Sequence, residues 1–243
     1  MVYQICLLPG DGIGPEVVAA AQEVLRALPL EFEFTRAEIG FGAYERLGTP
    51  LPDSTLDAIR SSHAALFGAV TTPPNIPGYF SPVVRMRQSL DLYANLRPTR
   101  SIQHPSSRPG IDLVLVRENT EGLYSCIERV EDDGNRAITE RVITRSGSER
   151  ILRKAFDLAR QTGRTRVHVV HKANVLRQTC GLFRQVALEI APEYPDIEML
   201  EMLVDTCAME LVRAPEQFQV IVTTNLFGDR SEERRVGKEC RSR

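Results

Sequence analysis

The chain has 243 residues, 42% of them hydrophobic and 26% charged, with a formal net charge of -2. That length builds a sizeable core in one large domain or two small ones, and that charge gives no grounds for a nucleic-acid or anionic-membrane partner. No apolar run approaches the roughly 20 residues of a membrane helix, and residues 2–8 run into a Pro-Gly-Asp-Gly turn instead of a signal-peptide pattern.

Residues 3–8 predict a buried strand, 9–14 a tight glycine loop and 15–28 a helix, with Pro15 suited to the first turn. A strand over 31–37, a short helix over 54–62 and a strand over 64–70 follow. Residues 73–82 read as a Pro/Gly-rich loop, 83–92 as a helix and 93–97 as the start of an extended stretch. The polar segment 103–110 is a candidate domain boundary. Beyond it, strands at 112–116, 167–170, 197–204 and 218–222 alternate with helices at 149–161, 175–191 and 207–213. This alternation implies an α/β fold. Five scattered cysteines (Cys6, Cys126, Cys180, Cys207 and Cys240) include no C-x-x-C pair. They read as reduced thiols of a cytoplasmic protein, not as zinc ligands or disulfides.

Several apolar strands end in polar, chemically able residues. Residues 64–70 lead to Thr71-Thr72, 112–116 to Arg117-Glu118-Asn119, 167–170 to His171-Lys172-Ala173-Asn174, and 218–222 to Thr223-Thr224-Asn225. In open α/β sheets the carboxyl edge is where ligands bind. The loop LPGDGIGPEV (8–17) is not the dinucleotide fingerprint, because Pro15 stands where its third glycine belongs. Arg87, Arg97 and Arg117 carry forks that suit a di- or tricarboxylate, although most arginines are simply surface residues. Lys172 can serve as a base if its surroundings lower its pKa, and Tyr124 as a proton donor or a core tyrosine. Asp205 and Asp229 follow strands and suit either a hard divalent cation or the capping of a helix.

Seven segments together resemble the β-decarboxylating dehydrogenases, the isopropylmalate/isocitrate dehydrogenase family. They are LPGDGIGPEV, FGAVTTP, LDLYANLRP, VRENTEGLY, HKANV, VDTCAM and VTTNLFGD, and they run in family order from Val2 to Asp229. The stretch 76–92, IPGYFSPVVRMRQSLDL, is similar to homoisocitrate dehydrogenases. The resemblance implies a two-domain α/β fold with a mixed sheet, incomplete at the C-terminus. Residues 1–98 would begin the large dinucleotide-binding domain, and 99–229 would form the small substrate and dimerisation domain. It implies NAD- or NADP-dependent oxidative decarboxylation of a 2-hydroxy acid. Homoisocitrate to 2-oxoadipate, a step of lysine biosynthesis, comes first, with isocitrate, 3-isopropylmalate or tartrate as alternatives. A non-catalytic regulatory subunit is the reading from another class; the retained arginines, Tyr124 and Lys172 argue against it.

The same resemblance implies roles. Arg87, Arg97 and Arg117, with Thr72, Ser81 and Asn174, would bind substrate. Tyr124 would protonate the enol carbon. Lys172 would take the hydroxyl proton across a dimer interface, in a homodimer or a tetramer of dimers. Val70, Thr71, Thr72 and Asn174 would line the nicotinamide. Asp229, with Asp205 from the second subunit, would hold Mg2+ or Mn2+. The tail 230–243, RSEERRVGKECRSR, departs from the family's Ile-Leu-Ser-Asp and resembles read-through of a DNA sequencing adapter. Glu233 stands where the family has another metal-binding Asp. The natural chain is therefore expected to continue past Asp229, and the 243-residue product to be inactive and poorly folded.

Overall fold

The computed structural model describes residues 1–73, 76, 79–105 and 107–229. The tail at 230–243, with Glu233 and Cys240, lies outside the described residues, as do four positions of the 73–82 loop. The chain forms two compact units, Met1–Asp91 and Leu92 onward.

The first unit holds β1 (Val2–Gly10), α1 (Gly14–Arg26), β2 (Glu31–Arg36), α2 (Phe41–Leu47), α3 (Asp53–Arg60), β3 (Ala64–Ala69) and α4 (Pro82–Ser89). Its strands lie in the order β2-β1-β3, all parallel. Alternate residues of β1 feed opposite faces, as the pleat requires. Cys6 and Leu8 pack with Ile39, Leu51, Leu56 and Met86, while Ile5 and Leu7 pack with Val18 of α1. Gly14 is obligatory in this arrangement. A β-carbon there would lie 1.9 Å from the Pro9 carbonyl oxygen and 2.8 Å from the Ala69 nitrogen. The glycine loop thus lets α1 start hard against β3.

The second unit holds β4 (Ala94–Arg100), β5 (Asp112–Glu118), β6 (Glu128–Glu131), β7 (Arg136–Thr139), α5 (Arg145–Gln161), β8 (Arg166–His171), α6 (Thr179–Ile190), β9 (Glu198–Leu203), α7 (Val204–Arg213) and β10 (Val220–Thr223). Its mixed sheet runs β4-β5-β10-β8-β9, with β4 alone antiparallel. Val114, Val116, Val167, Val169, Val220 and Val222 face α5 and α6. Leu113, Leu115, Val170 and Ile221 face Cys207 and Leu211 of α7. Strands buried on both faces read as continuous apolar runs, which is why they were visible in the sequence.

Three expectations are corrected, and two further features appear. β4 pairs with β5 from Ala94 to Arg100, so residues 94–98 stand in the second unit instead of closing the first. The β6–β7 hairpin and the short α2 were not expected. α5 starts at Arg145, four residues before the predicted 149, because Thr144 caps it. α6 starts at Thr179, and residues 173–178 form turns closed on the Lys172 carbonyl. No helix among the described residues is long and apolar enough to cross a membrane.

Candidate active site

Arg117 stands at the carboxyl end of β5, and only 2% of its side chain is exposed. Burying a guanidinium is costly unless its donors are satisfied. Here Nε donates to the Asn225 carbonyl at 2.8 Å, Nη1 to Asn119 Oδ1 at 3.3 Å, and Nη2 to Asp229 Oδ2 at 2.6 Å and to Asn225 Oδ1. Arg97, on the neighbouring β4, donates to Asn95 Oδ1 at 3.2 Å, the Gly228 carbonyl at 3.2 Å and Asp229 Oδ1 at 3.4 Å. The Tyr124 hydroxyl donates to Asp229 Oδ2 at 2.9 Å, and its ring lies 5.6 Å from the Arg117 guanidinium carbon. Two guanidinium groups and a phenol therefore converge on one carboxylate.

The backbone around this cluster is shaped for it. Gly228 lies in the helical turn after β10 and passes against the Arg117 stem. A β-carbon on it would sit 2.5 Å from Arg117 Cγ. The buried Glu118 carboxylate accepts from Thr120 N, Thr120 Oγ1 and Glu121 N at 2.7–3.0 Å, folding the turn that leads to Tyr124. Burial holds the Glu121 carboxyl above the usual range, with Glu118 adding to the rise against hydrogen bonds from Thr144. Arg141 donates to Thr179, Cys180 and Thr224 and stacks on Phe227 at 4.9 Å. The Arg141 and Gly228 supports were missed in the sequence because each joins residues far apart in the chain.

Lys172 follows β8, and its ammonium pairs with Asp205 in the first turn of α7. β8 and β9 lie side by side and deliver both groups to one edge. Thr223 of β10 is level with Arg117 on one side and Val170 on the other. With strands about 4.8 Å apart, the backbones of β5 and β8 are roughly 10 Å apart there. Lys172 and Arg117 thus leave the same sheet edge two strands apart. Asn174 is exposed on the turn beyond Lys172.

Val70, Thr71, Thr72, Ser81 and Arg87 lie in the first unit. Thr71 and Thr72 are exposed just past β3. Ser81 precedes α4 at its N-cap, and Arg87 is in its last turn. Asp11, not singled out by the sequence, accepts from Phe41 N at 2.7 Å, Gly42 N at 2.9 Å and Thr71 N at 2.9 Å. Burial alone would raise its pKa, but these three backbone donors and Arg46 hold it below the usual carboxylate range. The Tyr79 hydroxyl donates to the Thr71 carbonyl at 3.1 Å. The 70–72 ledge is thereby fixed past the carboxyl end of β3, the edge at which open α/β sheets bind ligands. A cavity of about 230 Å³ opens beside Gly10, Asp11, Arg36, Glu38 and Arg46, and none of the site residues expected from the sequence lines it.

The expected metal site joins Asp229 of one chain to Asp205 of a second. A hard divalent cation takes six or more oxygen donors. Asp229 is held by Arg97, Arg117 and Tyr124, and Asp205 by Lys172. Among the described residues no group of three or more His, Cys, Asp or Glu could hold an ion. Within one chain these residues do not form a metal cage.

The wider comparison agrees with the fold. A 3-D match to the solved isocitrate dehydrogenase of Methylococcus capsulatus has a TM-score of 0.92 at 47% identity, covering 97% of this chain and 70% of that one. The chain is 51% identical over 230 residues to the isocitrate/homoisocitrate dehydrogenase of Thermus thermophilus, covering 94% of this chain and 68% of that protein. It is 47% identical over 228 residues to the 3-isopropylmalate dehydrogenase of Archaeoglobus fulgidus, covering 93% and 68%. The profile of isocitrate/isopropylmalate dehydrogenase matches residues 4–233, and the chain belongs to that family.

Proposed function

We infer that this chain binds a 2-hydroxy acid at the arginine cluster for NAD(P)+-dependent oxidative β-decarboxylation, with homoisocitrate as substrate and 2-oxoadipate as product. The observation that carries the reading is the seat already occupied by the Asp229 carboxylate. Arg97, Arg117 and Tyr124 deliver donors to it at 2.6–3.4 Å, which is how a substrate carboxylate would be gripped. The 76–92 stretch and a relative that is named for isocitrate and homoisocitrate support this substrate.

In this reading Arg97 and Arg117 hold the acid in place and favour the loss of CO2 by fixing its carboxylates. Lys172 takes the proton of the C2 hydroxyl as the C2 hydrogen leaves as hydride. Val70, Thr71, Thr72 and Asn174 are the residues that would hold NAD(P)+, which would supply the hydride acceptor. Loss of CO2 from the β-carboxylate of the oxidised acid leaves an enolate, and Tyr124 supplies the proton that its carbon takes up. The working unit is a homodimer, or a tetramer of dimers, in which Lys172 and Asp205 serve the cluster of a second copy.

Calorimetric titration of the full chain with homoisocitrate, isocitrate and 3-isopropylmalate, beside an Arg117→Ala control, tests the reading. Homoisocitrate should bind most tightly and Arg117→Ala should weaken it at least about tenfold, or about 1.4 kcal/mol. A tenfold preference for 3-isopropylmalate would overturn the substrate. An unaffected Arg117→Ala would overturn the site.

A further inference from the structure

We propose that Asn225 is a positioning residue, which sets the Arg117 guanidinium for carboxylate binding and ties it to the segment that carries Tyr124. The inference rests on the carboxylate-binding reading above and extends it. Asn225 is 1% exposed, in the helical turn that follows β10. Its backbone carbonyl accepts Arg117 Nε at 2.8 Å, and its Oδ1 accepts Nη2. Two acceptors on one residue address two nitrogens of one planar fork, so they fix its plane as well as its place. Asn119 Oδ1 takes Nη1 at 3.3 Å from the other side. The Nη2 donor that remains aimed outward is the one that meets the Asp229 carboxylate.

The amide of Asn225 has a second task. Its Nδ2 donates to the Glu121 carbonyl at 3.1 Å. Gly122 follows, with φ +85°, and a β-carbon on it would approach Asn225 Cβ to 3.5 Å. The turn at Leu123–Ser125 then presents Tyr124. The amide offers an acceptor to the guanidinium from its oxygen and a donor to the carbonyl from its nitrogen. Aspartate keeps the first and loses the second; leucine of similar volume loses both.

The test is a double-mutant cycle on the full chain, read as homoisocitrate affinity by calorimetry for wild type, Asn225→Ala, Arg117→Ala and the double variant. Asn225→Ala should weaken binding about tenfold or more. In the Arg117→Ala background the same change should alter affinity less than about twofold, because the residue acts through Arg117. A full effect in both backgrounds would mark a general structural role and overturn the proposal, as would wild-type affinity in Asn225→Ala. If Arg117→Ala itself binds like wild type, the carboxylate-binding reading fails and the proposal falls with it. Should Asn225→Ala not fold, the wild-type chain still decides: its Arg117 Nε–H should show slow solvent exchange by nitrogen-15 NMR, and fast exchange would overturn the proposal.

Discussion

Gly228 is where one added methyl group would press directly on the arginine cluster. Its β-carbon would need the space of Arg117 Cγ, 2.5 Å away, and also crowd Cδ and Cβ at 2.8 and 2.9 Å. A buried stem pinned at Nε and Nη2 has little room to yield. Gly228→Ala should therefore weaken homoisocitrate binding at least about tenfold while costing about 1–3 kcal/mol of stability. Calorimetry beside urea denaturation checks both; unchanged affinity would mean the arginine relaxes. Lys172→Met predicts the opposite pattern. Its partner Asp205 is 67% exposed, so the lost pair is worth under about 1 kcal/mol. In a chain completed with the remaining third that its relatives carry, binding should stay within about threefold of wild type while kcat falls below about a tenth, measured as reduced-nicotinamide absorbance; a larger residual rate would remove Lys172 from the base role. Arg117, Tyr124 and Lys172 were legible because they lie at or beyond the ends of apolar runs. The roles of Asn225 and Asp11 were not, because their contacts span 108 and 60 positions of sequence.

At the scale of elements, the start of α5 makes the clearest test. Thr144 Oγ1 accepts from Gly147 N at 2.9 Å and donates to Glu121 Oε2 at 2.8 Å. Thr144→Ala removes the cap and one hydrogen bond to a half-buried carboxyl, and should cost about 1–2 kcal/mol in urea denaturation. A cost below about 0.3 kcal/mol would show that the cap is dispensable. This cap was hidden because no acidic residue follows in the first turn and the apolar periodicity begins later, at Ile151. The β6–β7 hairpin was hidden for a related reason: seven of its eight strand residues are polar, alanine or exposed, leaving only Ile138 to signal a buried face. Strands of the main sheet were visible because both of their faces are covered.

For the whole molecule, acid should be the weak side. His168 and His171 lie in β8, covered on both faces. Burial pushes His168 down to about 4, and Arg166 adds to the drop. Burial also lowers His171, with Arg184 in the same direction and Glu201 opposing. The folded chain keeps both rings neutral where the unfolded chain, near the ordinary 6.5, takes up protons. Their contribution is complete above pH 6.5 and is lost as pH falls from 6.5 toward 4. Urea midpoints should fall across that window, and His168→Leu should flatten the slope; an equal slope would clear His168. Asp11 adds a further loss below its ordinary 3.8, since its lowered pKa favours the folded state only while it can ionise.

The seat of Asp229 has one more consequence. A carboxylate tethered a few residues from the cluster competes with every free acid at an effective concentration on the order of millimolar. Ligand affinity is then an exchange, reduced by the fraction of molecules in which the tether still holds the arginines. Asp229→Asn removes the rival charge. A simple monocarboxylate such as acetate should bind that variant more tightly than wild type, and equal affinities would show that the tether does not compete.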